Sequence, residues 1–355
     1  MGKRVCYIIG TRPEVIRSAG ILRSFEAHPA LEVELVNTGQ HFDTSMMADL
    51  AEEVGLPRAA RTLPTRTGVP GRRFAGITGD LVDVLADGGF DAVVVYGDTD
   101  SSLAGALAGI KTGTAVVHVE AGCRSGDMRM QEEMNRRMID HVSALHLAVS
   151  DACVANLRLE SAPGRLVVTG DPQFDVFWDH RPAGGGRPSA TPEGFVTLHR
   201  AENVDDPRFL DGVLAALDGV GRASGMVFTW AAHPRTAAFF GDAPRSPWVK
   251  VDPPLSYGQT LNHLARSSVC VTDSGGLQKE AFWLRTPCVT MRPTTEWVET
   301  VDAGANVLCP DPALLHGAVT SAAAAPEHVR WEPDPYGGLG SSGRVAAAIA
   351  QWLAS

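Results

Sequence analysis

No apolar run in the 355 residues approaches membrane-spanning length, so no membrane-spanning helix is expected. A basic excess is missing too. Lys and Arg total 31 against 41 Asp and Glu, a formal net charge of -10, which argues against a nucleic-acid or anionic-membrane partner. Cysteine is sparse and scattered, at positions 6, 123, 153, 270, 288 and 309, with no C-x-x-C pair. Neither a zinc ribbon nor a redox motif is suggested, and reduced, buried thiols in a cytoplasmic enzyme are expected. No internal repeat is present. The apolar stretch Val5–Ile9 is too short for a signal sequence, and Arg12 and Glu14 follow at once, so it reads as a first buried strand.

What the sequence does contain is apolar runs alternating with helix-like segments. The first half gives Val5–Ile9, Val33–Val36, Ala92–Tyr96, Ala115–Val119, Leu145–Val149 and Leu166–Val168. The second gives Phe195–Leu198, Met226–Ala231, Val249–Val251, Val269–Val271, Cys288–Met291 and Asn306–Cys309. Runs without period-2 alternation indicate strands buried on both faces, hence parallel sheets covered by helices. Twelve strands are too many for one ordinary doubly wound sheet. The Gly/Pro-rich segment Asp179–Gly194 reads as an exposed connection. The expected fold is therefore α/β, with two Rossmann-like doubly wound parallel-sheet domains facing a cleft. Residues 1–178 form the first domain, 195–338 the second, and 339–355 a C-terminal segment packing back on the first, with an amphipathic helix over Arg344–Leu353. Such a pair of sheets puts a ligand at the carboxyl ends of its strands.

Several of those strand ends are polar. Thr272-Asp273-Ser274-Gly275-Gly276 turns a strand directly into a helix, leaving N–H groups and the positive end of the helix dipole for a phosphate or diphosphate. Glu280 follows about one turn later, where a carboxylate reaches a ribose diol. Read alone, this is also an ordinary βα turn. The other ends are Gly10-Thr11-Arg12-Pro13-Glu14, Gly39-Gln40-His41, Gly97-Asp98-Thr99-Asp100, His118-Val119-Glu120, His199-Arg200-Ala201-Glu202-Asn203 and His233-Pro234-Arg235. Pro13 suits the first turn of a helix, and Arg12 and Arg17 are available for phosphate. Asp98 is equally readable as the cap of a helix beginning near Asp100. Between Glu120 and Arg136 a strand end and a helix start each bring acidic groups, an arrangement suited to general acid/base work. The bland reading makes Glu132, Glu133 and Arg136 helix-surface ion pairs at i,i+3 and i,i+4.

Eight ordered motifs resemble those of the non-hydrolysing UDP-N-acetylglucosamine 2-epimerase family. They are GTRPEVIR at 10–17, TGQHFD at 38–43, GDTDS at 97–101, HVEAGCRSGDMRMQEEMNRR at 118–137, LHRAEN at 198–203, HPRT at 233–236, TDSGGLQKEA at 272–281 and TEWVET at 295–300. The resemblance implies a glycosyltransferase-B-like fold, a homodimer, a nucleotide-sugar substrate and no metal or nicotinamide cofactor. It also implies inversion at C2 of a UDP-linked 2-acetamido sugar, UDP-GlcNAc to UDP-ManNAc by default. No carbonyl adjoins C2, so the implied route removes its proton while UDP leaves C1. Proton and UDP then add back to the glycal, the proton on the opposite face.

Carried over by motif, Asp98, Glu120 and Glu132 are the acid/base residues, and His199 contacts the diphosphate or assists proton movement. Arg12, Ser274, Gly275 and Gly276 hold phosphates, and Glu280 the ribose. Arg17, Gln40, His41, Arg136, His233, Arg292 and Glu296 line the substrate site. The acids then lie on the first domain and the nucleotide grip on the second, so that domain closure assembles the site.

The chain departs from the family pattern in four places. Arg17 stands for a usual lysine, and Gln131-Glu132-Glu133 for Pro-Glu-Glu. Thr260 replaces a Phe or Met near the base. Finally, Thr65–Arg73 replaces a Gly/Ser/Gln-rich loop that, in bacterial relatives, helps a second, regulatory UDP-sugar bind. These departures favour, as alternatives, the same chemistry on another nucleotide sugar. A hydrolysing 2-epimerase needs water to capture the glycal. A glycosyltransferase of the same fold needs only one base, against which the acids at 120 and 132 argue.

Overall fold

The computed structural model describes residues 2–355 except 41–43, 184–190, 233–235, 237–238, 242–244 and 325. His41 and His233 lie outside the described residues.

The chain divides into two compact units, 1–179 with 335–355, and 180–334. The first unit holds β1 (Lys3–Ile9), α1 (Arg12–Glu26), β2 (Leu31–Asn37), α2 (Thr44–Val54), β3 (Arg61–Thr62), α3 (Pro70–Gly88), β4 (Ala92–Tyr96) and α4 (Asp100–Thr112). It continues through β5 (Ala115–Val119), α5 (Gln131–Val142), β6 (Leu145–Ala148), α6 (Asp151–Leu159), β7 (Arg165–Val168) and α7 (Gln173–His180). Its sheet is parallel, in the order β3-β2-β1-β4-β5-β6-β7. The order reverses between β1 and β4, the place where doubly wound sheets bind ligands.

All five residues of β4 are buried, as are Val5–Ile9 of β1, which is why neither run alternates. Ile8, Val93, Val95, Leu81, Leu85, Leu103 and Ile139 form one core beneath this sheet. At the C-terminal ends, Tyr96 pairs with Val119, so Gly97-Asp98 and Glu120 emerge side by side. α1 starts as its sequence dictates. Glu14 accepts from the Thr11 backbone N–H at 2.8 Å, and Pro13 occupies the first turn.

The second unit holds β8 (Glu193–Thr197), α8 (Ala201–Val204), α9 (Pro207–Ser224), β9 (Val227–Ala231), β10 (Val249–Asp252), α10 (Tyr257–Arg266) and β11 (Val269–Thr272). α11 (Gly275–Trp283), β12 (Cys288–Thr290), α12 (Val298–Asp302), β13 (Asn306–Leu308) and α13 (Pro312–Ala324) follow, then a short 3-10 helix, Pro326–His328. Its sheet is parallel as well, in the order β10-β9-β8-β11-β12-β13. The reversal lies between β8 and β11. Thr197 pairs with Thr272, so Leu198-His199 and Asp273-Ser274 leave the sheet together. The chain then returns to the first unit as α14 (Ser341–Leu353), three residues longer at its start than the sequence pattern indicates. Asp175 of α7 accepts from the N–H groups of Gly340 and Ser342, both at 2.7 Å, and so supplies the acidic cap that α14 lacks.

Two sequence expectations are corrected. The described strands include a thirteenth, β3, whose two residues are exposed and carry no apolar signal. The cap of α4 is Thr99, whose hydroxyl accepts from Ser102 N at 3.1 Å, and not Asp98. Asp98 is thereby left for another task. All six cysteines are free and buried, as expected, and burial pushes the Cys6 thiol up to about 12. Among the described residues no helix is long and apolar enough to cross a membrane.

Candidate active site

In the first unit, two acids leave adjacent strands and each meets a guanidinium. Glu120 follows β5 with a φ of 69°, a left-handed conformation that costs a non-glycine residue about 1–3 kcal/mol and collects at functional sites. Its side chain is 5% exposed and receives Arg17 Nη1 at 2.9 and 3.1 Å. Arg17 lies 5.0 Å above the Tyr96 ring. Burial works against its charge, but Glu120, Tyr96 and Asp98 outweigh that and hold its pKa above the ordinary guanidinium value. Glycine suits position 97 in this corner. Its φ is 70°, and a Cβ there would lie 3.3 Å from Arg17 Nη1 and 3.4 Å from Glu120 Oε1.

Asp98 pairs with Arg136 of α5 through Oδ2, and Asn135 Nδ2 donates to the Asp98 carbonyl at 2.9 Å. Arg136 also contacts Glu133 Oε2 at 3.4 Å. Glu133 is fully buried and accepts from Ser125 N (2.8 Å), Ser125 Oγ (3.1 Å) and Arg137 Nε (3.0 Å). The ion-pair spacing noted in the sequence is therefore used by Glu133 and not by Glu132, which stands half-buried beside it in the first turn of α5.

From Glu133 the pairing continues. Arg137 meets Glu160 at 2.8 Å, Glu160 meets Arg124 at 2.6 Å, and Arg124 meets Asp140 at 2.7 Å. Asp140 Oδ1 lies 2.7 Å from His118 Nδ1, and His118 Nε2 lies 2.8 Å from the Gly97 carbonyl. The chain of alternating charge thus starts at Asp98 and ends one residue before it. Burial penalises the Asp140 carboxylate, yet His118 and Arg124 hold its pKa below the usual range. The hydrogen bond from Arg124 likewise lowers Glu160.

The remaining first-unit candidates lie at the neighbouring end of β1. Glu14 is fully buried and accepts from Gly10 N, Thr11 N, Thr11 Oγ1, Thr99 Oγ1 and Ser102 Oγ between 2.7 and 3.0 Å. Burial raises its pKa against those bonds. Gln40 Oε1 accepts from Ser101 N at 2.9 Å and Ser101 Oγ at 2.5 Å, so it is tied to the start of α4. Arg12 is the half-buried first residue of α1. Arg17, available for phosphate in the sequence, donates to Glu120.

In the second unit, the turn from β11 into α11 has an organiser that sequence reasoning missed. Asp273 is fully buried and accepts from His199 N (3.1 and 3.2 Å), Arg200 N (3.0 Å) and Asn203 Nδ2 (3.0 Å). Its Oδ1 lies 3.2 Å from His199 Nδ1, while the His199 side chain is 44% exposed. One carboxylate thus joins the end of β8 to the start of α11 and orients the imidazole. The signal available in the sequence was an acid immediately before Ser-Gly-Gly.

α11 opens with Gly275-Gly276, so the first-turn N–H groups point out of the helix beside Ser274. A Cβ on Gly275 would sit 2.6 Å from Glu296 Oε1, so a methyl there requires that carboxylate to shift. Glu296 is held by Arg292 Nη2 at 2.9 Å, with both side chains nearly buried. Glu280, one turn further, accepts from the Tyr257 hydroxyl at 2.8 Å. Thr260 donates to the Ser256 carbonyl at 2.9 Å within α10. No group of three or more His, Cys, Asp or Glu that could hold a metal occurs among the described residues.

Comparison with known proteins agrees in fold and in family. The family model described as UDP-N-acetylglucosamine 2-epimerase matches residues 23–350. A Pseudomonas aeruginosa protein named UDP-2,3-diacetamido-2,3-dideoxy-D-glucuronate 2-epimerase is 36% identical, covering 98% of this chain and 99% of its own. The UDP-N-acetylglucosamine 2-epimerase of Methanocaldococcus jannaschii is 32% identical over 87% of this chain and 88% of its own. A crystal structure of the Methanocaldococcus jannaschii UDP-GlcNAc 2-epimerase with UDP-GlcNAc and UDP superposes with a TM-score of 0.86 at 29% identity, covering 98% of this chain and 99% of that one. The chain belongs to the UDP-N-acetylglucosamine 2-epimerase family.

Proposed function

We propose that this chain interconverts the C2 epimers of a UDP-linked 2-acetamido sugar, UDP-GlcNAc and UDP-ManNAc by default. A carboxylate takes the C2 proton as the C1–O bond breaks and UDP departs with the electron pair, leaving a glycal. A second carboxylate delivers a proton to the opposite face of C2, and the UDP oxygen re-forms the bond to C1. Asp98, Glu120 and Glu132 of the first unit supply the acids and bases. In the second unit, Ser274, Gly275 and Gly276 grip the departing diphosphate with helix-end N–H groups, and His199 assists there. Keeping UDP bound returns the glycal to product and not to free sugar.

The observation that carries this reading is the pair of acids at neighbouring strand ends, Asp98 and Glu120, each set against its own guanidinium. Proton removal and return on opposite faces calls for two separately oriented carboxylates. The test is conversion of UDP-GlcNAc, followed by chromatography, for the wild type, Glu120→Gln and Asp98→Asn. Formation of UDP-ManNAc by the wild type, with each variant slowed at least about 100-fold, supports the assignment. Unchanged variants refute the roles given to these acids.

A second reading keeps the chemistry and changes the sugar. It is favoured by the full-length match to a relative named for a diacetamido-glucuronate. Comparing kcat/KM for UDP-GlcNAc and the UDP-2,3-diacetamido uronate decides between the two. The proposal extends to a cytoplasmic homodimer, which light scattering of the purified protein checks.

A further inference from the structure

The polar chain described above has a part that none of the roles assigned so far uses, the fully buried pair His118 and Asp140. His118 lies inside β5 and Asp140 in the last turn of α5. They reach two backbone positions of consequence. Through His118, Asp140 Oδ1 is linked to the Gly97 carbonyl, the peptide that leads into Asp98. Through Oδ2, it accepts from the Gly122 N–H at 3.1 Å, two residues after Glu120. One carboxylate therefore fastens both turns that carry the first unit's acids.

Both turns need fastening. Gly97, Glu120 and Gly122 all have positive φ, at 70°, 69° and 84°, so neither loop rests in the backbone region preferred by ordinary residues. The clamp itself is fixed from outside by Arg124, which also bonds the Cys123 carbonyl at 2.8 Å and spans to Glu160. The bonding demand fixes the direction of each contact. The Gly97 carbonyl is only an acceptor, so His118 Nε2 donates to it. Asp140 takes donors from Arg124 and Gly122 on its other oxygen, so His118 Nδ1 donates as well.

We infer that Asp140 and His118 are positioning residues for the reaction, a buried clamp that sets Asp98 and Glu120 in register across the β4 and β5 ends. The inference rests on the epimerase reading above. Misplacing a reacting group by about 1 Å costs on the order of 100-fold in rate. Loosening the clamp should therefore lower kcat and leave KM nearly unchanged, since the diphosphate grip lies in the other unit.

The test is steady-state kinetics of Asp140→Asn and His118→Asn, alone and combined with Asp98→Asn. Each single variant should lose about 10- to 100-fold in kcat with KM within about twofold, and Asp140→Glu should recover part of the loss. In the Asp98→Asn background the same changes should cost clearly less than they do alone, because one of the two groups they position is already disabled. Losses that simply multiply, or a folded Asp140→Asn with wild-type kcat, would overturn the clamp. Nitrogen-15 NMR of histidine-labelled wild type supplies a reading that needs no variant: His118 should show two slowly exchanging ring N–H protons. A single ring proton would overturn the clamp even if the variants do not fold. Should the wild type turn over no UDP-sugar, the epimerase reading fails, and the ring protons still judge the clamp separately.

Discussion

Arg17 Nη1 donates to both carboxylate oxygens of Glu120, at 2.9 and 3.1 Å, from a guanidinium that also lies over the Tyr96 ring. The contact joins α1 to the end of β5, across the two strands between which the sheet order reverses and its neighbour. It holds the Glu120 side chain in place at little exposure.

Removing the guanidinium strands that carboxylate. Arg17→Met should destabilise the first unit by about 3 kcal/mol, the usual cost of leaving one member of a buried pair without its partner. Arg17→Lys keeps the charge but loses the planar fork, and should cost about 1 kcal/mol. Urea unfolding measures both, and a Lys variant worse than the Met variant would contradict the pairing.

Gly97 is constrained by conformation more than by space. Gly97→Ala places a Cβ at φ 70° with Arg17 and Glu120 in ordinary to tight contact. A loss of about 1–2 kcal/mol is expected from the left-handed backbone alone, read as a lower thermal midpoint. An unchanged midpoint would show that the turn relaxes freely.

The second unit's turn is constrained by space. Gly275→Ala drives a methyl against Glu296 Oε1, 2.6 Å away, so that either the carboxylate or the first turn of α11 must shift. UDP affinity measured by calorimetry should fall at least about 10-fold, corresponding to one or two lost charge-assisted hydrogen bonds. Affinity equal to wild type would remove the Ser274–Gly276 turn from the diphosphate site.

Acid stability follows from the direction of the Asp140 shift. Its folded pKa lies below the unfolded carboxylate value of about 3.9, so its stabilisation is fully present above that value. It is lost as pH falls through the folded pKa. The stability gap between wild type and Asp140→Asn, from urea curves at pH 7 down to pH 3, should therefore be widest at neutral pH and begin to close below about pH 4. A gap that widens on acidification would contradict the pairing with His118 and Arg124.

Much of this fold was legible in the sequence because strands buried on both faces appear as uninterrupted apolar runs. Ala92–Tyr96 and Ala115–Val119 were bounded to the residue. β3 was not, since two exposed polar residues, Arg61 and Thr62, join the sheet through backbone pairing alone. The motifs pointed to the strand ends that carry Asp98, Glu120 and the glycine turn. They could not show which residues organise those ends, because Asp273, Glu133 and Asp140 act through partners 3 to 74 positions away in sequence. The assignment of Thr99 over Asp98 as helix cap was likewise invisible: both residue types cap helices, and only the hydroxyl's contact with Ser102 N decides.

The central claim is that a proton leaves C2 and another returns to its opposite face while UDP stays bound. Incubating the protein with UDP-GlcNAc in D2O and following C2 by proton NMR tests it most directly, with the diacetamido uronate as a second substrate. The account predicts deuterium at C2 in the newly formed manno epimer. Epimer formed with its C2 proton retained, or binding of both substrates with no exchange at C2, would contradict it.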